Sequence, residues 1–198
     1  LQCSREARVK RVIYSSTSSA YGLKNNPPLN EEMPNDCLNP YSVTKTGGEE
    51  LCKMFTNLFD LETVILRYFN VYGDRSPLRG QYAPVVGIFM RQTRNNEPMT
   101  IIGDGTQRRD FTHVEDIVEA NVRAAESNNS KIIGNTINIG TGKNHSIIEV
   151  ANMIGSMTVH LPERKAEAKI TLANNNRLKE WLDFTPQDRL KEYINGYR

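Results

Sequence analysis

Thr63 to Tyr68 reads Thr-Val-Ile-Leu-Arg-Tyr, a continuous β-branched and aliphatic run without polar alternation, and it constrains the fold more than any other feature. A strand of that kind has no face made for water, so it fits a parallel sheet with helices on both sides. Its neighbours agree. Lys10 to Ser16 (KRVIYSS) is a short strand rich in Val, Ile and Tyr that closes in small hydroxyl residues. Tyr41 to Asp60 between them has helical spacing, with Leu51, Met54, Phe55, Leu58 and Phe59 on one apolar side. The segment from Asn25 to Pro40, with Pro27, Pro28, Pro34 and Pro40, is a surface loop.

The alternation continues. Pro84 to Asn95 is predicted as a helix, Met99 to Gly103 as a strand, and Thr136 to Gly140 as another strand. Thr112-His113-Val114-Glu115 and Ser146-Ile147-Ile148-Glu149 both match the capping-box pattern, predicting helices from Val114 and Ile147. Asn175 to Asp183 and Asp188 to Gly196 read as helical. The expected fold class is therefore α/β with a largely parallel sheet, and no repeat or low-complexity tract interrupts it.

Composition narrows the function classes. With 38% hydrophobic residues, 24% charged residues and a net charge of +2, the chain is ordinary for a globular protein, which argues against disorder and against a strong nucleic-acid field. Its 198 residues are enough to bury roughly 70% of the unfolded surface. No apolar run is long enough to span a membrane, so no membrane partner is expected. Cys3, Cys37 and Cys52 are odd in number and lack metal spacing, which favours reduced thiols and a cytoplasmic location. His113, His145 and His160 show no metal spacing either, Trp181 reads as core, and the start at Leu1 is neither a signal peptide nor an initiator Met.

Tyr41 and Lys45 stand at i and i+4, on one face of the predicted helix. A phenol beside an ammonium is a candidate acid/base pair. Free tyrosine titrates near 10, so a base working near neutrality needs a shift of about three units, or about 4 kcal/mol. The strand before this helix runs into Ser15-Ser16-Thr17-Ser18-Ser19-Ala20-Tyr21-Gly22, and the strand after it into Leu66-Arg67-Tyr68-Phe69-Asn70-Val71-Tyr72-Gly73. In an open parallel sheet both junctions project at the carboxyl edge, where ligands bind.

These motifs, in this order, closely resemble the extended short-chain dehydrogenase/reductase family, in its NAD-dependent nucleotide-sugar epimerase/dehydratase branch. The resemblance runs over almost the whole chain and implies a Rossmann-like doubly wound parallel sheet with a smaller α/β substrate-binding region. It implies that Thr17 is the family's catalytic Ser/Thr, Tyr41 its general base, and Lys45 the lysine that holds the nicotinamide ribose. Phe69 falls where the family packs its chain beside the nicotinamide, and Asn70 where an amide reaches the diphosphate of the sugar nucleotide. Gly103 to Phe111 looks like the family's turn whose second arginine, here Arg109, binds diphosphate, leaving Arg108 as a surface residue. A guanidinium fork suits phosphate oxygens. Arg164 and Glu167 sit where the family grips the diphosphate and the nucleotide ribose, and Thr171 where it gates the sugar's 2-substituent.

Within the branch, Ser18 and Ser19 stand where dehydratases carry an Asp-Glu pair and uronate decarboxylases a Glu. Hydroxyls cannot serve there as acids or bases at neutral pH. The expected activity is NAD-dependent epimerisation at carbon 4 of a UDP-hexose, with N-acetylhexosamines tolerated because Thr171 is small. A dehydratase, a decarboxylase and a non-catalytic binding protein on the same fold remain as alternatives.

The family's glycine-rich cofactor fingerprint does not occur before Lys10, so the chain reads as the carboxyl-terminal two-thirds of such an enzyme, with about 100 residues upstream at roughly 30 per βα unit. Alone it is expected neither to bind NAD nor to turn over. Residues 1–75 are expected to complete the NAD-binding domain and 76–198 to form mostly the substrate region, with a strand near 99–140 as a candidate to rejoin the main sheet. The resemblance also implies a homodimer paired through the Tyr/Lys helix. Leu51, Met54, Phe55 and Leu58 suit either that contact or plain core packing.

Overall fold

The computed structural model describes residues 1–80, 83–163 and 167–196. After a short helix α1 (Gln2–Glu6) come strand β1 (Arg11–Thr17), a 3-10 turn (Ser18–Tyr21), helix α2 (Pro40–Phe59) and strand β2 (Glu62–Tyr68). The chain continues through β3 (Val71–Tyr72), α3 (Val85–Arg94), β4 (Met99–Ile102), β5 (Arg108–Arg109), β6 (Thr112–His113) and α4 (Val114–Glu126). It ends with β7 (Thr136–Ile139), β8 (His145–Ser146), α5 (Ile147–Ile154), β9 (Thr158–Leu161), α6 (Asn176–Leu182) and α7 (Leu190–Gly196).

The main sheet has the order β1-β2-β7, all parallel. Strand β7 reaches β2 after the long excursion through α3, β4 and α4, pairing Ile65 with Thr136 and Tyr68 with Ile139. The central strand is covered on both faces, as its composition demands. Thr63 and Arg67 point to α2, where the Thr63 hydroxyl donates to the Cys52 carbonyl at 3.1 Å. Val64 and Leu66 point the other way, into a core with Ile117, Ala120 and Ala124 of α4, Ile137 and Ile139 of β7, and Leu178 of α6. A second core lies under the two-stranded β4-β9 ribbon, where Phe89, Met99, Ile101, Val150 and Leu190 join α3, α5 and α7.

Two expectations need correction. The buried residues of α2 are Ser42, Thr46, Glu49 and Cys52 rather than its apolar stripe, while Leu51 and Leu58 are 52% and 68% exposed. The reason is that the strand surface under α2 is itself polar. Tyr14, Ser16, Thr63 and Arg67 all hydrogen-bond into the helix, so its sheet-facing side is polar too. Core packing is thereby excluded for Leu51 and Leu58. The second correction concerns α4. Its N-cap is His113, whose Nδ1 accepts the Glu115 N–H at 3.3 Å, because Thr112 is buried within β6. The box at α5 forms as read: the Ser146 hydroxyl accepts the Glu149 N–H at 3.1 Å and the Glu149 carboxylate accepts the Ser146 N–H at 2.8 Å.

Candidate active site

At the carboxyl end of β1 the chain turns sharply. Thr17 caps the 3-10 turn, its hydroxyl accepting the Ser19 N–H at 3.1 Å and donating to the Ser19 hydroxyl at 3.2 Å. Gly22 closes the turn at φ +58°, where an added Cβ would lie 2.0 Å from the Asp36 carbonyl oxygen, so a side chain has neither the dihedral nor the room. Across from it, the Asn39 side chain accepts the Ser42 N–H at 2.9 Å and Pro40 stands in the first turn, which starts α2 abruptly. Tyr41 is therefore in that first turn, partly exposed, with Lys45 one turn on.

Lys45 ties the two junctions together. Its ammonium donates to the Ser15 carbonyl at 2.9 Å, two residues from Thr17, and lies 6.0 Å from the Tyr41 ring centroid. It also lies 5.5 Å from the ring of Tyr14, whose hydroxyl donates to the Lys45 carbonyl at 3.2 Å. The arrangement sets a cation beside a phenol at the carboxyl edge of the sheet.

The residues after β2 build a second part of the site. Asn70 has φ +26°, a conformation that asparagine tolerates better than most residues. Its amide donates to the Asp110 carbonyl at 3.1 Å and to the Thr171 hydroxyl at 3.2 Å. Asn70, Arg109 and Glu167 line one cleft of about 300 Å³, walled by Val85, Phe89, Ile102 and Leu161. The Arg109 side chain is only 12% exposed and donates to Glu167 at 2.8 Å. Burial pulls its pKa below the usual arginine value, with the Glu167 carboxylate pulling the other way. Arg108 is the structural partner of the pair, donating to the Asn144 side chain at 2.8 Å and bridging Glu149 at 3.1 Å.

Lys45 thus joins Tyr41 on α2 to the end of β1 two residues before Thr17, while Asn70, Arg109 and Glu167 line the cleft and Thr171 is hydrogen-bonded to Asn70. Phe69 does not reach either surface: its ring is wholly buried with Tyr21, Leu29 and Ala173 and supports the edge from beneath. Arg164 lies outside the described residues. Asp110 carries a role that sequence reasoning missed. Its buried carboxylate accepts from the Thr141 N–H and hydroxyl, the Gly142 N–H and the Ala173 N–H at 2.7 to 3.0 Å, binding the loop after β7 and the strand-like segment 170–173 to the residue next to Arg109. Its adjacency to Arg109 was the available signal. Among the described residues no group of three or more His, Cys, Asp and Glu could hold a metal ion, and no helix is long and apolar enough to cross a membrane.

Comparison with known proteins fits this geometry. Residues 1–140 match the NAD dependent epimerase/dehydratase family. The uncharacterized UDP-glucose epimerase YtcB of Bacillus subtilis (strain 168) is 33% identical over 202 residues, covering 99% of this chain and 62% of that protein. Among solved structures, the UDP-N-acetylglucosamine 4-epimerase from Methanobrevibacter ruminantium M1, in complex with UDP-N-acetylmuramic acid, superposes with a TM-score of 0.90 at 33% identity, over 98% of this chain and 63% of its own. The UDP-glucuronic acid 4-epimerase from Bacillus cereus, in complex with UDP-glucuronic acid and NAD, does so with 0.89 at 33% identity, over 98% and 62%. The chain spans less than two thirds of the length of each.

Proposed function

The chain belongs to the NAD dependent epimerase/dehydratase family, and from that premise we propose that the whole protein epimerises carbon 4 of a UDP-hexose. The observation that carries the reading is Lys45, bonded to the strand that ends in Thr17 and stacked beside Tyr41 at the sheet edge. Tyr41 takes the proton of the sugar 4-hydroxyl, Lys45 stands beside the phenol, and the Thr17 hydroxyl holds the same oxygen. Arg109 and Asn70 bind the diphosphate, with Glu167 on the nucleotide ribose. Lys45 would hold the nicotinamide ribose of bound NAD, which would supply a reversible hydride acceptor for carbon 4; once the 4-keto sugar has turned over in the site, the hydride and the Tyr41 proton would return to give the inverted alcohol.

The residues present fit the nicotinamide end of that cofactor. An ammonium carries three donors, and one of them is committed to Ser15, which leaves donors suited to ribose hydroxyls. No G-x-G-x-x-G run occurs in the 198 residues, so the chain supplies no loop of that kind for the pyrophosphate. Isolated, it is expected neither to bind NAD measurably nor to turn over.

Epimerisation is favoured over dehydration or decarboxylation by Ser18 and Ser19, which offer hydroxyls and no carboxylate beside Thr17. N-acetylhexosamines fit the reading because the Thr171 side chain is short and turned to Asn70. A homodimer fits as well: Val43, Leu51, Leu58 and Phe59 leave an apolar stripe on the outer side of α2.

The test is Tyr41→Phe in the whole protein with UDP-glucose and UDP-N-acetylglucosamine. Turnover should vanish while UDP-sugar affinity stays near wild type. Turnover within about tenfold of wild type would refute the role of Tyr41, and a wild-type protein that binds UDP-sugars without converting them would favour the non-catalytic reading.

A further inference from the structure

Directly beneath the edge that holds Thr17, Tyr41 and Asn70 lies a charged cluster that the proposed chemistry does not use. Glu49 is wholly buried and Arg67 is 3% exposed. The guanidinium grips the carboxylate with two hydrogen bonds, Nε to Oε1 at 2.8 Å and Nη2 to Oε2 at 2.6 Å. Ser16 donates its hydroxyl to Glu49 Oε1, Arg67 Nη2 also donates to Asn35 Oδ1 at 2.7 Å, and the guanidinium stacks 4.7 Å from the Tyr21 ring centroid.

Each member borders a site residue. Ser16 precedes Thr17, and Tyr21 closes the turn that Thr17 opens. Arg67 stands three residues before Asn70. Glu49 lies one helical turn beyond Lys45 and two beyond Tyr41, on the same face of α2. Stability does not account for the cluster, because a buried ion pair is commonly no more stabilising than apolar packing of equal volume. What a bidentate fork adds is a fixed distance and angle, whereas apolar side chains let a helix slide on a sheet. Burial works against the Arg67 charge, but the hydrogen bonds to Glu49 and the proximity of Tyr21 more than offset it and hold its pKa above the usual arginine value.

We propose that Glu49 is a positioning residue that, through Arg67 and Ser16, locks α2 to β1 and β2 and so sets the placement of Tyr41 and Lys45 against Thr17 and Asn70. The inference rests on the catalytic reading above and names the device that keeps its parts in register.

The test compares Glu49→Gln and Arg67→Lys, which keep shape or charge but lose the fork, with Asp116→Asn in the whole protein. Asp116 is similarly buried and paired with Arg189 at 3.1 Å, and it belongs to neither part of the site. Both cluster variants should lose about tenfold to a hundredfold in turnover per folded molecule, with KM for the UDP-hexose within about threefold. Asp116→Asn should lower the urea midpoint and leave turnover unchanged. Native-state amide exchange gives a readout independent of activity: residues 15–22 and 67–70 should exchange at least about tenfold faster in either cluster variant and not in Asp116→Asn. Unchanged exchange at those amides in both cluster variants, or the same acceleration in Asp116→Asn, would overturn the proposal. If the wild type turns over no UDP-hexose, the catalytic reading fails, while the exchange experiment still decides whether the cluster sets this register.

Discussion

Helix α2 contains an internal control for its own packing. Gly47 and Gly48 are adjacent in the middle of a 20-residue helix, so replacing either by alanine yields the same gain in helix propensity, about 0.8–1.0 kcal/mol. Their surroundings differ. A Cβ added at Gly47 meets nothing within 4 Å, whereas one at Gly48 would lie 2.1 Å from the Tyr14 hydroxyl oxygen and 2.4 Å from its ring carbon Cζ. Ordinary carbon contacts begin near 3.5 Å, so the ring or the helix must retreat by roughly 1 Å or more. Tyr14 cannot do so freely, being hydrogen-bonded to the Lys45 carbonyl at 3.2 Å and stacked under the Lys45 ammonium. Overpacking of this kind costs about 1–3 kcal/mol. Propensity cancels between the two variants, so Gly47→Ala should be more stable than Gly48→Ala by that whole amount. Urea unfolding of the whole protein measures the difference. Turnover supplies a second reading, because a displaced Tyr14 unseats Lys45: Gly48→Ala should lose activity and Gly47→Ala should keep it. In a Tyr14→Ala background the clash is gone, and Gly48→Ala should become stabilising. If Gly48→Ala stabilises the wild type as much as Gly47→Ala does, the packing of Tyr14 against α2 is not as described and the reasoning fails.

Three further outcomes follow from particular contacts. Arg109→Ala should weaken UDP-sugar binding by about 2–5 kcal/mol, with a much smaller effect on the turnover of saturated enzyme, as titration calorimetry and kinetics together would show; equal losses in both would contradict its assignment to binding. Burial raises the Tyr21 pKa from 10.0 to about 12. The folded state then keeps a proton that the unfolded state loses, so stability should fall as pH rises from 10 towards 12, by a few kcal/mol at most, and Tyr21→Phe should flatten that limb of the urea midpoint against pH. The Ser146 N–H, followed by Arg108, holds the Glu149 carboxyl below its usual value. Its stabilisation is therefore present above the unfolded pKa and lost as pH falls through the folded one, so Glu149→Gln should flatten the acid limb, and Ser146→Ala should cost about 1 kcal/mol at neutral pH.

Much of the site was legible because its signals are local. The Tyr41/Lys45 spacing is a property of one helix, and the hydroxyls after β1 and the amide after β2 are properties of two strand ends. A parallel sheet is bound to bring such ends to one edge. The Ser146–Glu149 cap was legible for the same reason, since both partners lie within one turn. The apolar stripe of α2 misled because periodicity reports which residues share a face and not what lies against that face.

What the sequence by itself determined is the order of elements, the α/β class and the residue types at the carboxyl edge of the sheet, all of which depend on interactions within a few residues. Tertiary structure decided the rest. It paired Glu49 with Arg67, 18 residues away, and set Asp110 against Thr141 and Ala173, 31 and 63 residues away. It brought β7 to β2 across the intervening segment from α3 to α4, buried Phe69 and turned the leucines of α2 outward. No local pattern specifies such contacts, because a buried charge or carboxyl is stable only where distant segments arrive together to satisfy it, and that meeting exists only in the folded chain.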